Sequence, residues 1–248
     1  MRVFMILMVF TIFGCTPEKN KEEKGKNEKI TPDGSKIIKS SYSNGKPKAE
    51  VVYKDGKKNG ISKSYDKEGV LMLELPYVND KKEGRSKKYY EGGKQVYQTT
   101  EYKENLKHGM QIKYRENGDL MSEARYEKDL PCQGIKEYYK DKTLKTDYPK
   151  INITPIDQLE KNGVYILETS ISEKVREVKY YSGKLTGGCI AQDLYNIFVD
   201  ESTNKGRLRF DLPPGGFRME EINIIAAVET IYGNTYITQR TYNLAIDN

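Results

Sequence analysis

The segment GISKSYDKEG at residues 60–69 returns with the same spacing as GRSKKYYEGG at 84–93 and GMQIKYRENG at 109–118. Each copy has a tyrosine five residues after its first glycine and a second glycine four residues after that tyrosine. Such a period predicts a repeat architecture, in which a single unit cannot bury its apolar side and stacking of neighbours makes the core. We therefore expect residues 31–150 to form one array of similar units.

The same period of 24 or 25 residues extends beyond these three segments. It is carried by Gly45, Gly69, Gly93 and Gly118, by Gly60, Gly84, Gly109 and Gly134, and by Tyr53, Tyr77, Tyr102 and Tyr126. Apolar residues alternate between the glycines, as at Leu71, Leu73 and Leu75, which is typical of a half-buried strand. Two strands and a Gly-containing turn per unit predict consecutive hairpins in one elongated antiparallel sheet.

Two units are one residue longer than the others. The extra residues lie between Gly93 and Tyr102 and between Tyr126 and Gly134. An extra residue in one strand of an antiparallel pair is the usual origin of a β-bulge. We therefore expect a bulge in each of these two units.

The spacing of Gly-x4-Tyr with Tyr-x3-Gly at 60–69, 84–93 and 109–118 resembles the MORN-repeat variant of many bacterial proteins. Some proteins of that family are labelled as antitoxin components of toxin–antitoxin pairs. The resemblance implies a sheet of hairpins and a role in binding another macromolecule or a membrane surface, and it brings no catalytic residue with it. An immunity or antitoxin-like partner that neutralises a toxin therefore remains an alternative function.

Residues 151–248 have a different pattern, in which the Lys-Gly-Tyr rhythm stops and apolar runs become denser. Six or seven short strands are predicted here. The last two, Ile222–Tyr232 and Thr235–Ile246, are joined by Gly233-Asn234, a strong signal for a two-residue hairpin turn. This pattern predicts a small immunoglobulin-like β-sandwich as a separate domain.

The N-terminus has the layout of a secretion signal, with Arg2 followed by an apolar run from Val3 to Phe13. Residues 12–15, IFGC, resemble the bacterial lipobox, whose cysteine is lipidated and becomes the new N-terminus. We therefore predict a signal peptide at 1–14, lipidation of Cys15 and a charged tether at 15–30. The protein would be membrane-anchored in the bacterial cell envelope, in the outer membrane if the organism has one.

Charge differs between the two halves of the chain. Residues 31–150 contain 26 Lys and Arg against 19 Asp and Glu, whereas residues 151–248 contain 10 against 13. If the tyrosines line one face of the sheet, we expect lysines to crowd the opposite face and the edges. The candidate contact residues are Lys57, Lys58, Lys81, Lys82, Lys87 and Lys88. Such a surface would suit an anionic glycan, phospholipid head groups or an acidic protein, or it would be a solvated face without a ligand.

No catalytic, cofactor-binding or metal-binding residue is predicted. The single histidine, His108, occupies a turn position where other units have Asn59, Glu83 and Gln133, so the position requires polarity and not an imidazole. Glu50, Glu74 and Glu123 recur opposite the tyrosines, which indicates pairing with lysines across strands. We expect no enzyme, although paired carboxylates leave a carbohydrate-active enzyme as a second alternative. No nucleic-acid partner is expected for an exported protein.

Two cysteines remain after Cys15, namely Cys132 and Cys189. They could pair in an oxidising compartment. Because they lie in segments assigned to different domains, we expect two unrelated thiols, with a disulfide as the alternative.

Overall fold

The computed structural model describes residues 27–248, so the predicted signal peptide at 1–14 and Cys15 lie outside the described residues. The described chain is almost entirely β-structure, with one short helix, α1 (Leu159–Asn162). The prediction of an all-β fold is therefore confirmed. No helix in this part of the chain is long and apolar enough to cross a membrane.

The first sheet contains thirteen strands. They are β1 (Asn27–Ile30), β2 (Lys36–Ser41), β3 (Pro47–Lys54), β4 (Lys57–Lys58), β5 (Gly60–Tyr65), β6 (Leu71–Val78), β7 (Lys81–Lys82), β8 (Gly84–Tyr89), β9 (Val96–Lys103), β10 (Leu106–Tyr114), β11 (Leu120–Glu127), β12 (Leu130–Pro131) and β13 (Lys136–Glu137). The longer strands pair antiparallel in chain order, and the two-residue strands β4, β7 and β12 each pair with the long strand before them, so the predicted array of hairpins is confirmed. Residues 27–30, assigned above to the charged tether at 15–30, instead pair with β2 as the first strand of the sheet.

Tight and wide turns alternate along this sheet. The tight turns are Asp55-Gly56, Asn79-Asp80, Glu104-Asn105 and Lys128-Asp129, and both residues of each have positive φ. This backbone matches the right-handed twist of the flanking strands, which is why two-residue hairpins prefer it. The wide turns contain a repeat glycine, as where the Gly69 N–H donates to Asp66 O.

The two extra residues do not add the bulges predicted for them. The first lengthens a wide turn, in which the Tyr90 N–H donates to Gln95 O, five residues on, because a turn can absorb a residue without changing strand pairing. The second shifts the last unit by one position, so Tyr138 and not Tyr139 takes the place of Tyr89. A register shift occurs just before each wide turn in longer and ordinary units alike, for example between Ser64 and Tyr65 and between Lys88 and Tyr89, so the extra residue is not its cause.

The second half of the chain forms two four-stranded antiparallel sheets. Their strands are β14 (Ile151–Gln158), β15 (Val164–Ile171), β16 (Val178–Ser182), β17 (Tyr195–Ile197), β18 (Val199–Asp200), β19 (Lys205–Asp211), β20 (Phe217–Glu229) and β21 (Thr235–Asp247). The sheet orders are β14-β15-β19-β18 and β17-β16-β20-β21. Leu167 of one sheet and Ile224 of the other are fully buried in one shared core, so the two sheets pack face to face.

The loop between β20 and β21 is longer than the predicted two-residue turn Gly233-Asn234. Glu229 pairs with Thr235, which leaves the five residues 230–234 in the loop. The Thr230 N–H donates to Asn234 O across its base. We call residues 230–234 the hairpin tip, because they project from the sandwich onto the repeat sheet.

Cys132 and Cys189 form a disulfide, so the expectation of two unrelated thiols is wrong. The segments that carry them run side by side, since the Gln133 N–H donates to Gly188 O and the Ile190 N–H donates to Pro131 O. The disulfide therefore joins the last repeat unit to the sandwich.

Candidate binding surface on the repeat sheet

Lysines and tyrosines alternate across the repeat sheet on one face. In three successive units a lysine amine lies over the tyrosine ring of the next unit. The amine-to-centroid distances are 5.2 Å for Lys58 and Tyr77, 5.3 Å for Lys82 and Tyr102, and 4.7 Å for Lys107 and Tyr126. These distances are within cation–π range. We call this row the lysine–tyrosine ladder.

Turn residues of the next unit hold the backbone of each ladder lysine. Asp80 Oδ1 accepts the Lys58 N–H at 2.8 Å, and the Asp80 N–H donates back to Lys58 O. Asn105 does the same for Lys82, and Asp129 for Lys107. Because both backbone groups are fixed, the lysine stems start from set positions along the sheet.

Strand pairing identifies the other residues of this face, because side chains alternate along a strand and residues paired across strands share a face. Tyr77 is paired with Gly60, Leu75 with Ser62, and Leu73 with both Ser64 and Lys88. Farther along the sheet, Gln98 is paired with Lys88 on one side and with Lys113 on the other. We call this surface the tyrosine face.

The opposite face contains the carboxylates, and they are paired. The pairs are Lys39–Glu50, Lys63–Glu74, Arg85–Glu101 and Lys136–Glu123. Hydrogen bonds from the Met110 N–H and from Arg85 lower the pKa of Glu101, and the hydrogen bond to Glu50 raises the pKa of Lys39. The expectation that Glu50, Glu74 and Glu123 pair with lysines across strands is therefore confirmed.

Charge is thus sorted between the two faces. Every carboxylate of strands β3 to β11 lies on the opposite face; these are Glu50, Glu74, Glu101, Glu123 and Glu127. The cations that these strands place on the tyrosine face are Lys58, Lys82, Lys88, Lys107 and Lys113. The strands from β3 to β11 therefore place only cations on the tyrosine face, while the carboxylates of the tight-turn residues Asp80 and Asp129 lie at its edge, on the backbone of ladder lysines.

The six predicted contact lysines do not form one surface. Lys58, Lys82 and Lys88 lie on the tyrosine face, which contradicts the expectation that lysines crowd the face opposite the tyrosines. Lys57, Lys81 and Lys87 lie on the opposite face, where Lys81 pairs with Glu104 at 2.7 Å and Lys87 is opposite Glu74. Adjacent strand residues point to opposite sides, so each pair of neighbouring lysines is divided.

His108 is a partner of a carboxylate on the opposite face. Its Nδ1 lies 3.3 Å from Glu127 Oε1, and its side chain is partly exposed. Among residues 27–248, no group of three or more His, Cys, Asp or Glu side chains could hold a metal ion.

The hairpin tip covers the end of the tyrosine face. The buried Lys113 amine donates to Tyr232 O at 2.7 Å and to Gly233 O at 2.9 Å. Glu137, which is fully buried, accepts hydrogen bonds from Thr230 and Asn234. Burial lowers the pKa of Lys113, and this effect exceeds the opposing effect of Glu137.

A cavity of about 390 Å³ lies beside the tip, between the linker and the sandwich loops. Its aromatic wall is Tyr148, whose ring stacks on Tyr236 at 4.4 Å and has the Lys145 amine 5.0 Å from its centroid. These two neighbours leave little of the Tyr148 ring for a ligand, so the tyrosine face is the better candidate surface.

Sequence reasoning did not single out Lys113, Glu137 or the tip. Lys113 is one of many lysines in its half of the chain, and nothing in its neighbourhood marks it as buried. The one available sequence signal for a special site was Glu137. It lies three residues after its repeat glycine, a position at which the previous unit has the apolar Ile112.

The MORN repeat variant family matches three stretches of this chain, residues 36–55, 58–79 and 107–128. These stretches lie within the hairpin array and include two of the three ladder lysines, Lys58 and Lys107. None of the curated proteins compared with the chain matches it in sequence.

Among solved structures, the extracellular domain of a one-component system from B. thetaiotaomicron aligns with 88% of the chain at 10% identity. The TM-score is 0.21, and the chain spans 42% of the length of that structure.

Proposed function

We propose that this protein is a lipid-anchored binding protein of the bacterial cell envelope and that its tyrosine face contacts an anionic partner. The observation that carries the proposal is the sorting of charge between the two faces. On the opposite face carboxylates form ion pairs with cations such as Lys39, Lys63 and Arg85, whereas the cations of the tyrosine face between β3 and β11 have aromatic rings or backbone carbonyls as neighbours. An anion would supply a charge partner for Lys58, Lys82, Lys88 and Lys107, the lysines of this face that the tip does not cover.

Repetition makes this contact multivalent. Each lysine near a strongly anionic surface contributes on the order of 1 kcal/mol at most, and the attraction falls off over a Debye length of ~8 Å at physiological salt. Three or four such contacts on one rigid sheet reinforce one another, because binding at one unit raises the effective concentration at the next.

Residues 27–248 with Lys58, Lys82 and Lys88 changed to Gln test the proposal. Binding to anionic glycans or anionic liposomes should be saturable, weaker at high salt and reduced by the triple change. The matched control changes Lys57, Lys81 and Lys87 to Gln, which removes the same formal charge from the opposite face. Equal losses in the two variants would mean that net charge and not the tyrosine face attracts the ligand.

The anchor is proposed from the sequence, because Cys15 lies outside the described residues. Two or more acyl chains at ~0.8 kcal/mol per buried methylene hold a protein stably in a membrane. Cys15→Ser should therefore abolish lipid labelling and release the protein from the membrane fraction. A variant that stays in the membrane after a carbonate wash would rule out this anchor.

We also propose that the sandwich is of the immunoglobulin-like type. The orders β14-β15-β19-β18 and β17-β16-β20-β21 correspond to the A-B-E-D and C′-C-F-G arrangement of such sandwiches. Cross-strand amide contacts between Val199 and Gly206, measured by NMR, would support this assignment. If β18 paired instead with the sheet that contains β16, β17, β20 and β21, the immunoglobulin-like assignment would be wrong.

A further inference from the structure

The hairpin tip shows how the tyrosine face holds polypeptide. Lys113 donates to two successive carbonyl oxygens of the turn, Tyr232 O and Gly233 O. The Arg115 guanidinium lies 5.6 Å from the centroid of the Tyr232 ring. A lysine of the face thus binds the negative end of a backbone turn, and the residue two positions later contacts an aromatic side chain of that turn.

Lys88 is the equivalent of Lys113 one unit earlier. Each lysine lies four residues after its repeat glycine, Gly84 or Gly109. Each is also paired with Gln98, Lys88 from β8 and Lys113 from β10. The two lysines are therefore two strands apart, which is ~10 Å at the usual spacing between strands. Tyr90 occupies the position of Arg115 in this earlier unit.

The surroundings of Lys88 differ from those of Lys113 in one respect. Lys88 is exposed, and its amine lies 5.5 Å from the centroid of the Tyr97 ring. Within residues 27–248, its amine has no carboxylate or carbonyl partner. Leu73 is its neighbour on the side away from the tip, so an apolar contact is available beside the charge.

The part of the tyrosine face next to the docked tip is thus uncovered, and Lys88 lies there as Lys113 lies under the tip. We propose that the tyrosine face around Lys88 binds an acidic turn of a partner protein, held as Lys113 holds the tip. This inference rests on the proposed function and specifies its partner as polypeptide. Continuity with the tip favours polypeptide over glycan or lipid. The strands from β3 to β11 place only cations on this face, which favours an acidic polypeptide, since hydrogen bonds to a charged acceptor are about twice as strong as neutral ones.

The test uses residues 27–248, which contain every described strand, and a labelled cyclic peptide of residues 228–236. One peptide has the native tip sequence and the other is made acidic by Ile231→Asp and Thr235→Asp. Fluorescence anisotropy should show tighter binding of the acidic peptide. Lys88→Gln should weaken that binding about tenfold, the loss expected for a charge-assisted hydrogen bond. Lys87→Gln, on the opposite face, should change it less than twofold.

Hyaluronan oligosaccharides and phosphatidylglycerol vesicles serve as the other probes. If either binds in a Lys88-dependent manner while the acidic peptide does not, the polypeptide inference is overturned and the proposed function stands. If no anionic probe binds at low salt, both are wrong. If Lys88→Gln leaves peptide binding unchanged, the inference is also overturned. A melting curve equal to that of the native chain confirms that the variant is folded.

Discussion

Tyrosine is the residue on which the molecule relies in both halves. There are 20 tyrosines and no tryptophan in the sequence. Tyrosine supplies the rings of the ladder and, together with Phe210, the large rings of the sandwich core. In the core, Tyr180 is almost fully buried and its hydroxyl donates to Asn204 O at 3.1 Å. Burial raises the pKa of Tyr180 and of Tyr126, and burial with a hydrogen bond to Glu74 raises the pKa of Tyr89 to about 12.

These shifts predict a loss of stability in alkali. An unfolded tyrosine ionises near pH ~10, so above that pH the unfolded state has released protons that the folded state still holds. The stabilisation is complete below pH ~10 and is lost as pH rises toward the folded pKa values, by up to ~1.4 kcal/mol per pH unit for each tyrosine. Urea midpoints measured between pH 8 and 11 should show this decline.

Tyr180→Phe should remove one tyrosine's share of this alkaline slope. At neutral pH the change should cost about 1 kcal/mol, because the hydrogen bond to Asn204 is lost. Tyr195→Phe is the matched control, since the Tyr195 side chain is 64% exposed. An unaltered slope in the Tyr180 variant would show that the buried hydroxyl does not cause the decline.

The elements of the repeat sheet depend on the repeat glycines, which follow the two-residue strands in most units; Gly109 lies inside β10, where the register with β9 shifts between Lys107 and Gln111. Gly109 has φ +106°, and an added Cβ would be 3.2 Å from Glu101 Cβ and would contact its carboxylate. That carboxylate is fixed, because Oε2 accepts the Met110 N–H at 2.8 Å. Gly134 has φ +87°, but an added Cβ would meet nothing within 4 Å.

Gly109→Ala should therefore be more destabilising than Gly134→Ala. Both changes put alanine at positive φ, which costs of order 1–3 kcal/mol. Only Gly109→Ala adds the contact with Glu101, so we expect its free energy of unfolding to be lower by about a further 1 kcal/mol. Chemical denaturation of the two variants measures the difference. Equal losses would mean that the Glu101 side chain moves aside at no cost.

The strands and turns were predictable because they depend on local signals. The spacing of Gly60, Gly84 and Gly109 indicated the hairpins, and alternation of Leu71, Leu73 and Leu75 indicated which residues share a face. The lysine face was predicted wrongly, because Lys57 and Lys58 were considered as a cluster and not as neighbours on opposite sides of a strand. The composition gives the number of charged residues, but only the strand register shows on which face of the sheet each of them lies.

For the whole molecule, the contacts between the two halves could not be predicted from the sequence. The disulfide, the burial of Lys113 and the acceptors of Glu137 all depend on how the sandwich docks on the sheet, and docking leaves no local signal. Leu130 of the repeats packs against a cluster that includes Ile190 and Ile225 of the sandwich. The two halves therefore share apolar contacts as well as the disulfide.

These shared contacts predict one cooperative unfolding transition for the oxidised protein. The disulfide closes a loop between residues 57 positions apart, and such a crosslink stabilises by about 4 kcal/mol in the chain-entropy description. Calorimetry of the double variant Cys132→Ala, Cys189→Ala should show a lower melting temperature. The repeats should unfold before the sandwich, because the sandwich has its own buried core.

Addition of reductant to the native protein should reproduce the thermogram of the double variant. The control is reductant added to that variant, which should change nothing. A melting temperature unaffected by reductant would contradict a stabilising role for this crosslink.

Two backbone hydrogen bonds hold each ladder lysine to a turn residue of the next unit, and this arrangement bears on how the gene can change by deletion or duplication. Asn105 holds Lys82 as Asp80 holds Lys58. A gene that lost the codons for residues 58–81 would therefore join Lys57 to Lys82 and keep the hydrogen bonds of all the remaining ladder lysines. A duplication of the same codons would add one lysine–tyrosine pair to the ladder and leave the sandwich unchanged. The reach of the sheet can therefore lengthen or shorten between descendants by whole units, while the end that carries the disulfide stays the same.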